Sequence, residues 1–392
     1  MPLTFVAPPH LPEALVEPAA QPLSLPHLET LLSSATIALG PALERWLCDV
    51  MGVVVDGDPP VGALRLAGEP SASAATQAGD PATGMAALAR EGYWLCADPV
   101  ATTTGLDSVR VDAIVDDLSV DETKELILAL DEFFRQDGLR FVAPAASRWY
   151  VQAASPQQIS TTPVDNVVGR SMLRRMPTGI DAATWRARLN ETQMLLHAHP
   201  VNAARQRRGL AMVSSCWVWG GGSWPRFGPA QVDAVLGAPV WVIAACRANG
   251  IAVDVAPVAP VAPVAPVAPV APVAPVNNAA VVRAAADDMP IDAGLLDEVL
   301  ASHTGDRRVV VFVASPKEPS ATAQWHSLDT GLFTKLEHVA KREPVTLIVP
   351  WTDGTLLIDF GRPKKNNAWQ RWLGRREPRP AAVGEALRSW LQ

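Results

Sequence analysis

The stretch Gly92-Tyr93-Trp94-Leu95-Cys96-Ala97-Asp98-Pro99, with Ser119-Val120-Asp121-Glu122 and Leu139-Arg140-Phe141-Val142 behind it, decides the fold class. The apolar run 93–97 reads as a buried strand that ends at Asp98-Pro99, because proline withholds a ladder donor. Ser119 and Glu122, three apart, form a capping box ahead of Leu126, Ile127, Leu130, Phe133 and Phe134 at helical spacing. Gly138 stops that helix. Residues 139–142 and 149–152 then read as a hairpin. Strand, helix and strand in this order place 85–155 in the α/β class.

Working outward, a helix begins near Asp181, carries Trp185, Leu189 and Leu196 as its core stripe and reaches His197. His199-Pro200 breaks it, and Pro200 opens a second, short helix that stops at Gly209. Residues 214–219 read as a strand running into Gly220-Gly221-Gly222, and 239–249 as a helix before the strand-like 251–255. Further on, 291–301 and 324–339 read as helices, 308–314 as a buried strand, and 345–350 with 355–360 as a hairpin. Upstream, 1–25 reads as a loose arm. Residues 26–50 read as a helix or broken helix pair, with Leu28, Leu31, Leu32, Ile37, Leu43 and Trp46 on its apolar side.

The expected architecture is α/β: a mostly parallel or mixed sheet with flanking helices, too few βα units for a barrel, and a proline-rich insertion. Its expected parts are 1–84 (helical and loop), 85–254 (α/β), 255–276 (the insertion), 277–361 (the C-terminal α/β part of the same domain) and 362–392 (a basic, Trp-rich tail and terminal helix). The insertion holds seven Val-Ala-Pro triplets. Proline at every third position favours a polyproline-II tract of about 65 Å, acting as a spacer or looped out of the fold.

The chain has 392 residues, of which 48% are hydrophobic and 19% charged, which excludes a wholly disordered or fibrous chain. Net charge is -7, so no global attraction to nucleic acid or an anionic membrane is expected. Basic residues alternate with Trp369 and Trp372 in 362–380, but the run is short. Cys48, Cys96, Cys216 and Cys246 are widely spaced and flanked by apolar residues, as expected of buried thiols in a reducing compartment. The N-terminal residues lack a basic region followed by an apolar one, and no uncharged apolar run suits a spanning helix. The expectation is a cytoplasmic protein.

Two segments could carry chemistry. In His197-Ala198-His199-Pro200-Val201-Asn202-Ala203-Ala204-Arg205, the second helix offers free amides to an anion, His199 and Asn202 could donate to it, and Arg205 could clamp it. Equally, the segment could be a structural corner with His199 as a cap; His197 and His199 as metal ligands lack a third partner. In Trp217-Val218-Trp219-Gly220-Gly221-Gly222, the glycines allow close backbone approach to a phosphate or simply a tight turn. Asp98 is a candidate strand-end site residue. His326 and Asp329, three apart, are a weak metal pair. Nothing resembling a nucleophile elbow or a zinc motif appears.

Taken together, Gly92–Val100, Asp137–Phe141, Arg148–Tyr150, Leu189–Asn202 and Trp217–Gly222 resemble the bacterial RpfE-type regulatory protein family, over about residues 85–375 outside the repeat. Around His199-Pro200-Val201-Asn202, Arg205, Gly209 and Gly220–Gly222 the sequence is also similar to archaeal-type, cofactor-independent phosphoglycerate mutases of the alkaline-phosphatase-like class. That second resemblance implies a nucleophilic serine and two metals held by Asp and His. The N-terminal Asp-Gly metal motif, the nucleophile and the later ligand cluster have no match in this sequence. The family's Ala-Asp-Pro-Val-His-Leu pattern reads Ala97-Asp98-Pro99-Val100-Ala101-Thr102, without its histidine, and an Asn gives way to Ser214 or Ser215. The expected function is therefore a non-catalytic, regulatory protein of mutase-like descent with a vestigial phosphate or anion site and no identified cofactor. Its expected partners are a small phosphorylated ligand or a protein. The alternatives are a Mn²⁺- or Zn²⁺-dependent mutase or phosphatase, and an interaction module using the repeat or the tail.

Overall fold

The computed structural model describes residues 3–6, 25–33, 35–69, 84–104, 109–251, 254–255, 283–284, 309–312, 326–342, 344–351 and 354–360. The repeat, the 291–301 helix and the basic tail lie outside them. The chain divides into two compact units, one of 1–46, 230–239 and 246–392, the other of 47–229 and 240–245. The fold is mixed α/β, with sheets flanked by helices.

In the first unit a six-stranded sheet runs in the order β10 (Ala234–Leu236), β13 (Val309–Phe312), β1 (Leu3–Val6), β14 (Val345–Trp351), β15 (Gly354–Phe360) and β2 (Thr36–Gly40). The first four are parallel neighbours, and β15 and β2 are antiparallel additions. Leu3–Val6 is thus an inner strand and not part of a loose arm: Thr4, Phe5 and Val6 are buried between two neighbours from beyond residue 300. Residues 26–50 do hold two helices, α1 (Pro26–Ser33) and α2 (Leu43–Met51), but the break between them is a strand, β2, so Ile37 belongs to the sheet and not to a helix face. The 345–360 hairpin forms as expected.

The amides opening α1 are capped from far along the chain. Asp329, buried in a π-helical turn (Asp329–Phe333) ahead of α9 (Thr334–Ala340), accepts Leu28 N–H at 2.8 Å and His27 N–H at 3.4 Å. Asp329 thus serves as a helix cap and not as half of a metal pair with His326. Leu25, Leu28 and Leu31 then pack with Leu332, Phe333 and Leu336 over Phe5, Val311, Leu347 and Ile358. Elsewhere in this unit two-residue strands β11 (Asp254–Val255) and β12 (Arg283–Ala284) pair in parallel on either side of the repeat.

The second unit is built on β3 (Tyr93–Thr104), β4 (Val109–Ile114), β5 (Leu139–Ala145), β6 (Arg148–Ala153) and β9 (Ser215–Ser223), all antiparallel where they pair. A short ribbon of β7 (Ile159–Ser160) and β8 (Thr178–Gly179) stands apart. The strand beginning at Tyr93 does not stop at Asp98-Pro99 but runs twelve residues to Thr104. One edge of β3 pairs with β9 throughout Tyr93–Val100. The other pairs with β6 up to Cys96 and with β4 from Val100 onward. Pro99 falls in the gap between β6 and β4, where no ladder donor is required of it.

Side chains alternate across this sheet. Tyr93, Leu95, Ala97, Trp149 and Val151 face α5 (Val120–Phe134) and α6 (Ala182–His197), whose Leu126, Leu130, Phe134, Trp185, Leu189 and Leu196 complete that core. The capping box is present as read: Ser119 N–H donates to Glu122 Oε2 at 2.9 Å and Glu122 N–H to Ser119 Oγ at 3.1 Å. The opposite face, with Cys96, Asp98, Tyr150 and Trp219, receives α3 (Val61–Gly68). Two shorter helices, α4 (Met85–Leu88) and α7 (Pro200–Arg207), and α8 (Val240–Ala248) complete the chain. All four cysteines are buried free thiols.

Candidate functional site

The corner between α6 and α7 holds the first set of expected site residues. His199 is the N-cap of α7: its Nδ1 accepts Val201 N–H at 3.2 Å, and Pro200 occupies the first helical position. Burial holds the His199 imidazole below its ordinary pKa, only partly opposed by Glu125. This agrees with the unprotonated Nδ1 that the cap requires. Asn202 is buried and bonded on both ends of its amide. Its Nδ2 donates to Leu196 O at 2.7 Å and Val213 O at 2.9 Å, while Oδ1 accepts Val213 N–H at 2.9 Å.

Arg205 is fully buried. Its Nε donates to Ala211 O at 2.7 Å, Nη1 to Glu122 Oε2 at 3.1 Å, and Nη2 to Asp117. Glu122 also receives Arg208, so one carboxylate serves the α5 cap and two guanidiniums. Burial alone would raise its pKa, but the Ser119 amide, Arg208 and Arg205 outweigh that and hold it below the ordinary glutamate value. A depressed carboxylate stabilises the fold at pH above its unfolded value of about 4.3 and loses that contribution as pH falls through the folded value. Glu122→Gln should therefore cost about 2 kcal/mol at pH 7 and less at about pH 3, below the unfolded value. Urea unfolding at the two pH values measures this, and an equal cost at both would refute the linkage.

The glycine triplet is not brought to this corner. Asn202 grips Val213, just ahead of β9, and Gly220 to Gly222 lie at the strand's other end, about 23–30 Å away at strand rise. Gly220 has φ +64° and donates its N–H to Thr161 Oγ1 at 2.9 Å. A Cβ on Gly220 would stand 2.8 Å from Val61 Cβ, one on Gly221 2.5 Å from the Tyr93 hydroxyl, and one on Gly222 2.5 Å from Pro60 Cβ. Inside a buried strand, Gly220 and Gly222 let α3 and its preceding loop lie directly on the sheet, and Gly221 makes room for Tyr93; they do not form an exposed turn. Thr161 in turn donates to Asp58 at 2.5 Å, and Ser160 reaches the same carboxylate at 3.1 Å. Burial raises the Asp58 pKa despite these bonds.

Asp98 lies at the centre of a buried charge cluster on the α3 face. Arg65 donates to it twice, Nη1 to Oδ2 at 3.1 Å and Nη2 to Oδ1 at 2.5 Å, and Trp219 Nε1 donates to Oδ2 at 2.7 Å. Arg65 Nε also donates to the Tyr150 hydroxyl at 3.0 Å, with its guanidinium 4.8 Å from the Tyr150 ring centre and 5.5 Å from that of Trp219. Tyr150 donates to Glu69, which also receives Arg148 Nε at 2.8 Å. The second Glu69 oxygen, Oε2, is buried without a hydrogen-bond partner. Burial opposes the Arg65 cation, but the Asp98 carboxylate bonded to it holds it above its ordinary value. Burial also pushes the Cys96 thiol and the Tyr150 phenol up, so both stay neutral.

Arg65, Glu69, Arg148 and Tyr150 were not among the expected site residues. The one signal for Arg65 was a lone charge inside the apolar run Val61-Gly62-Ala63-Leu64-Arg65-Leu66-Ala67. Chemically the cluster balances two cations with two anions and orients two aromatic rings. It presents no exposed nucleophile. Among the described residues no group of three or more His, Cys, Asp or Glu side chains stands where it could hold a metal ion. The described residues therefore do not fit the two-metal centre that the mutase resemblance implies. Nor is any described helix long and apolar enough to cross a membrane.

No family model matches the chain. Over 145 residues it is 30% identical to the 2,3-bisphosphoglycerate-independent phosphoglycerate mutase of Methanosarcina acetivorans and equally to that of Methanosarcina mazei, 36% of each chain being covered. It is 27% identical over 110 residues to a probable enzyme of the same name from Geobacter sulfurreducens. Among solved structures, a cofactor-independent phosphoglycerate mutase from Thermoplasma acidophilum aligns at TM-score 0.37 and 12% identity, over 93% of this chain and 91% of its own. A Pyrococcus horikoshii protein aligns at TM-score 0.41 and 13% identity, over 92% and 87%. The RpfE-type resemblance rests on the residues quoted for it alone. The chain's curated relatives are cofactor-independent phosphoglycerate mutases, matched over about a third of their length, 36% in the first two.

Proposed function

We propose that this chain is a non-catalytic, regulatory protein of mutase-like descent, acting in the cytoplasm, in which the ancestral anion-accepting segment has become scaffold. The observation that carries this reading is the state of the motif's donors. The Asn202 amide is bonded to Leu196 and Val213, Arg205 is bonded to Ala211, Glu122 and Asp117, and Gly220 N–H is bonded to Thr161. An incoming phosphate would have to reach a guanidinium that is itself fully buried and displace the Ala211 carbonyl and two carboxylates already bonded to it. Four buried thiols, none in a disulfide, suit a reducing compartment. The RpfE-type resemblance supplies the regulatory part of the reading.

The rival is a metal-dependent mutase or phosphatase, favoured by the names of the curated relatives. The test is interconversion of 3-phosphoglycerate and 2-phosphoglycerate by the full chain, stripped of metal and then supplied with Mn²⁺ or Zn²⁺. The expected result is no turnover above the metal-only blank by a protein whose circular dichroism shows it folded. Turnover that scales with protein, needs the metal and vanishes on chelation would replace this reading with the enzymatic one.

A further inference from the structure

Helices α5 and α6 lie on the same face of the five-stranded sheet and share one core. The exposed side of α5 is acidic, whereas α6 and the turn beside it carry Arg174, Arg175 and Arg186, with Glu191 as a carboxylate among them. On α5, Asp121, Glu125, Leu128 and Glu132 follow each other at spacings of four, three and four, forming one exposed stripe, with Val120 exposed at its start. Lys124 and, past Glu132, Arg135 are cations beside it, the latter paired with Asp131. Asp121 and Glu132 enter no ion pair among the described residues.

Along α6 runs the segment 172–177. Gln193 Nε2 meets Met172 Sδ at 3.7 Å near one end of the helix, and Arg186 Nε and Nη2 donate to Pro177 O at 3.1 and 2.8 Å near the other. This holds the 3₁₀ turn Leu173–Arg175 beside the helix. Leu173 is 64% exposed and Met194, next to Gln193, is 74% exposed. No carboxylate pairs with Arg174, Arg175 or Arg186 among the described residues. Arginines without a carboxylate partner, interleaved with exposed leucine and methionine, have the composition of a binding surface, and their excess positive charge in a chain of net charge -7 calls for an acidic partner.

We propose that the partner is a second copy of this chain, docked through the α5–α6 face. A two-fold axis between the helices sets each acidic α5 stripe against the other copy's Arg174–Arg175–Arg186 patch, so a single face complements itself and buries Leu128 with Leu173 and Met194. Nucleic acid or an anionic membrane fits this face less well, because the α5 carboxylates and Glu191 repel both. The proposal goes beyond the functional reading and holds whether or not the chain turns over phosphoglycerate.

Sedimentation velocity on the full chain tests it. A concentration-dependent dimer is expected whose dissociation constant rises at least about tenfold between about 50 mM and about 500 mM salt. Arg174→Glu with Arg175→Glu should weaken it by about tenfold or more, and Asp121→Lys with Glu132→Lys by a similar factor. These side chains are surface groups without partners, so both variants should keep native circular dichroism. All four changes together should bring the constant back to within about threefold of the original, since the charges are exchanged and not removed. A chain that stays monomeric up to about 100 µM would overturn the proposal. So would a dimer unmoved by either pair, or a folded fourfold variant that fails to reassemble.

Discussion

Replacing Arg65 with methionine is expected to destabilise the unit formed by 47–229 and 240–245 by about 3–5 kcal/mol, the range for breaking a buried ion pair from one side. Methionine fills much of the same volume, so the loss is not chiefly a cavity. What remains is a carboxylate, Asp98, that is 1% exposed and keeps only the Trp219 indole as a donor, and a Tyr150 hydroxyl that loses its Arg65 donor. Asp98→Asn should cost less, because a neutral amide still accepts from Arg65 and Trp219. The two substitutions combined should cost less than their sum, since each removes the same contact. Urea unfolding with an unchanged slope measures all three. A loss below about 1 kcal/mol for Arg65→Met would mean that water reaches the cluster and that it is not the clamp described above.

The elements that could be read along the chain are those whose information is local. The α5 helix carries its own start signal at Ser119 and Glu122 and its own stop at Gly138, so it stands where it was expected. The same holds for α6 and α7, divided at His199-Pro200, and for the hairpin of β14 and β15. Leu3–Val6 carries no such signal. Four residues show no period, and what makes them a strand is the company of Val309–Phe312 and Val345–Trp351, some 300 residues away along the chain. Asp98 was misplaced for a related reason: Pro99 reads locally as a strand end, and only the gap between β6 and β4 makes a proline acceptable mid-strand. At the corner, the residue types at 199, 202 and 205 fit an anion site and a structural staple equally well. Their partners, Val213, Ala211, Glu122 and Asp117, decide between the two, and nothing in the spacing names those partners.

The glycines on the α3 face carry the other large expected effect. Gly62 is buried at the second position of α3, in the first turn, where glycine costs at most about 1 kcal/mol against alanine in helix propensity. On propensity alone Gly62→Ala would be stabilising. The added Cβ, however, would stand 2.6 Å from Trp94 O and 2.8 Å from Leu95 Cα, both backbone atoms of an inner strand paired on both sides. Neither can move without disturbing the ladder, so α3 must lift off the sheet. Lifting it stretches the Arg65–Asp98 bonds and the packing of Val61 and Pro60 over Gly220 and Gly222 at the same time. The expected net change is therefore a destabilisation of about 2–3 kcal/mol for Gly62→Ala, and more for Gly62→Val, where overpacking adds to β-branching. Gly331→Ala is the matched control: its Cβ meets nothing within 4 Å, and its change should stay within about 0.5 kcal/mol. Thermal and urea unfolding of the three variants distinguish the outcomes. If Gly62→Ala proves neutral or stabilising, α3 does not lie on the sheet as closely as described, and a role for Gly220 and Gly222 in seating it falls with that result.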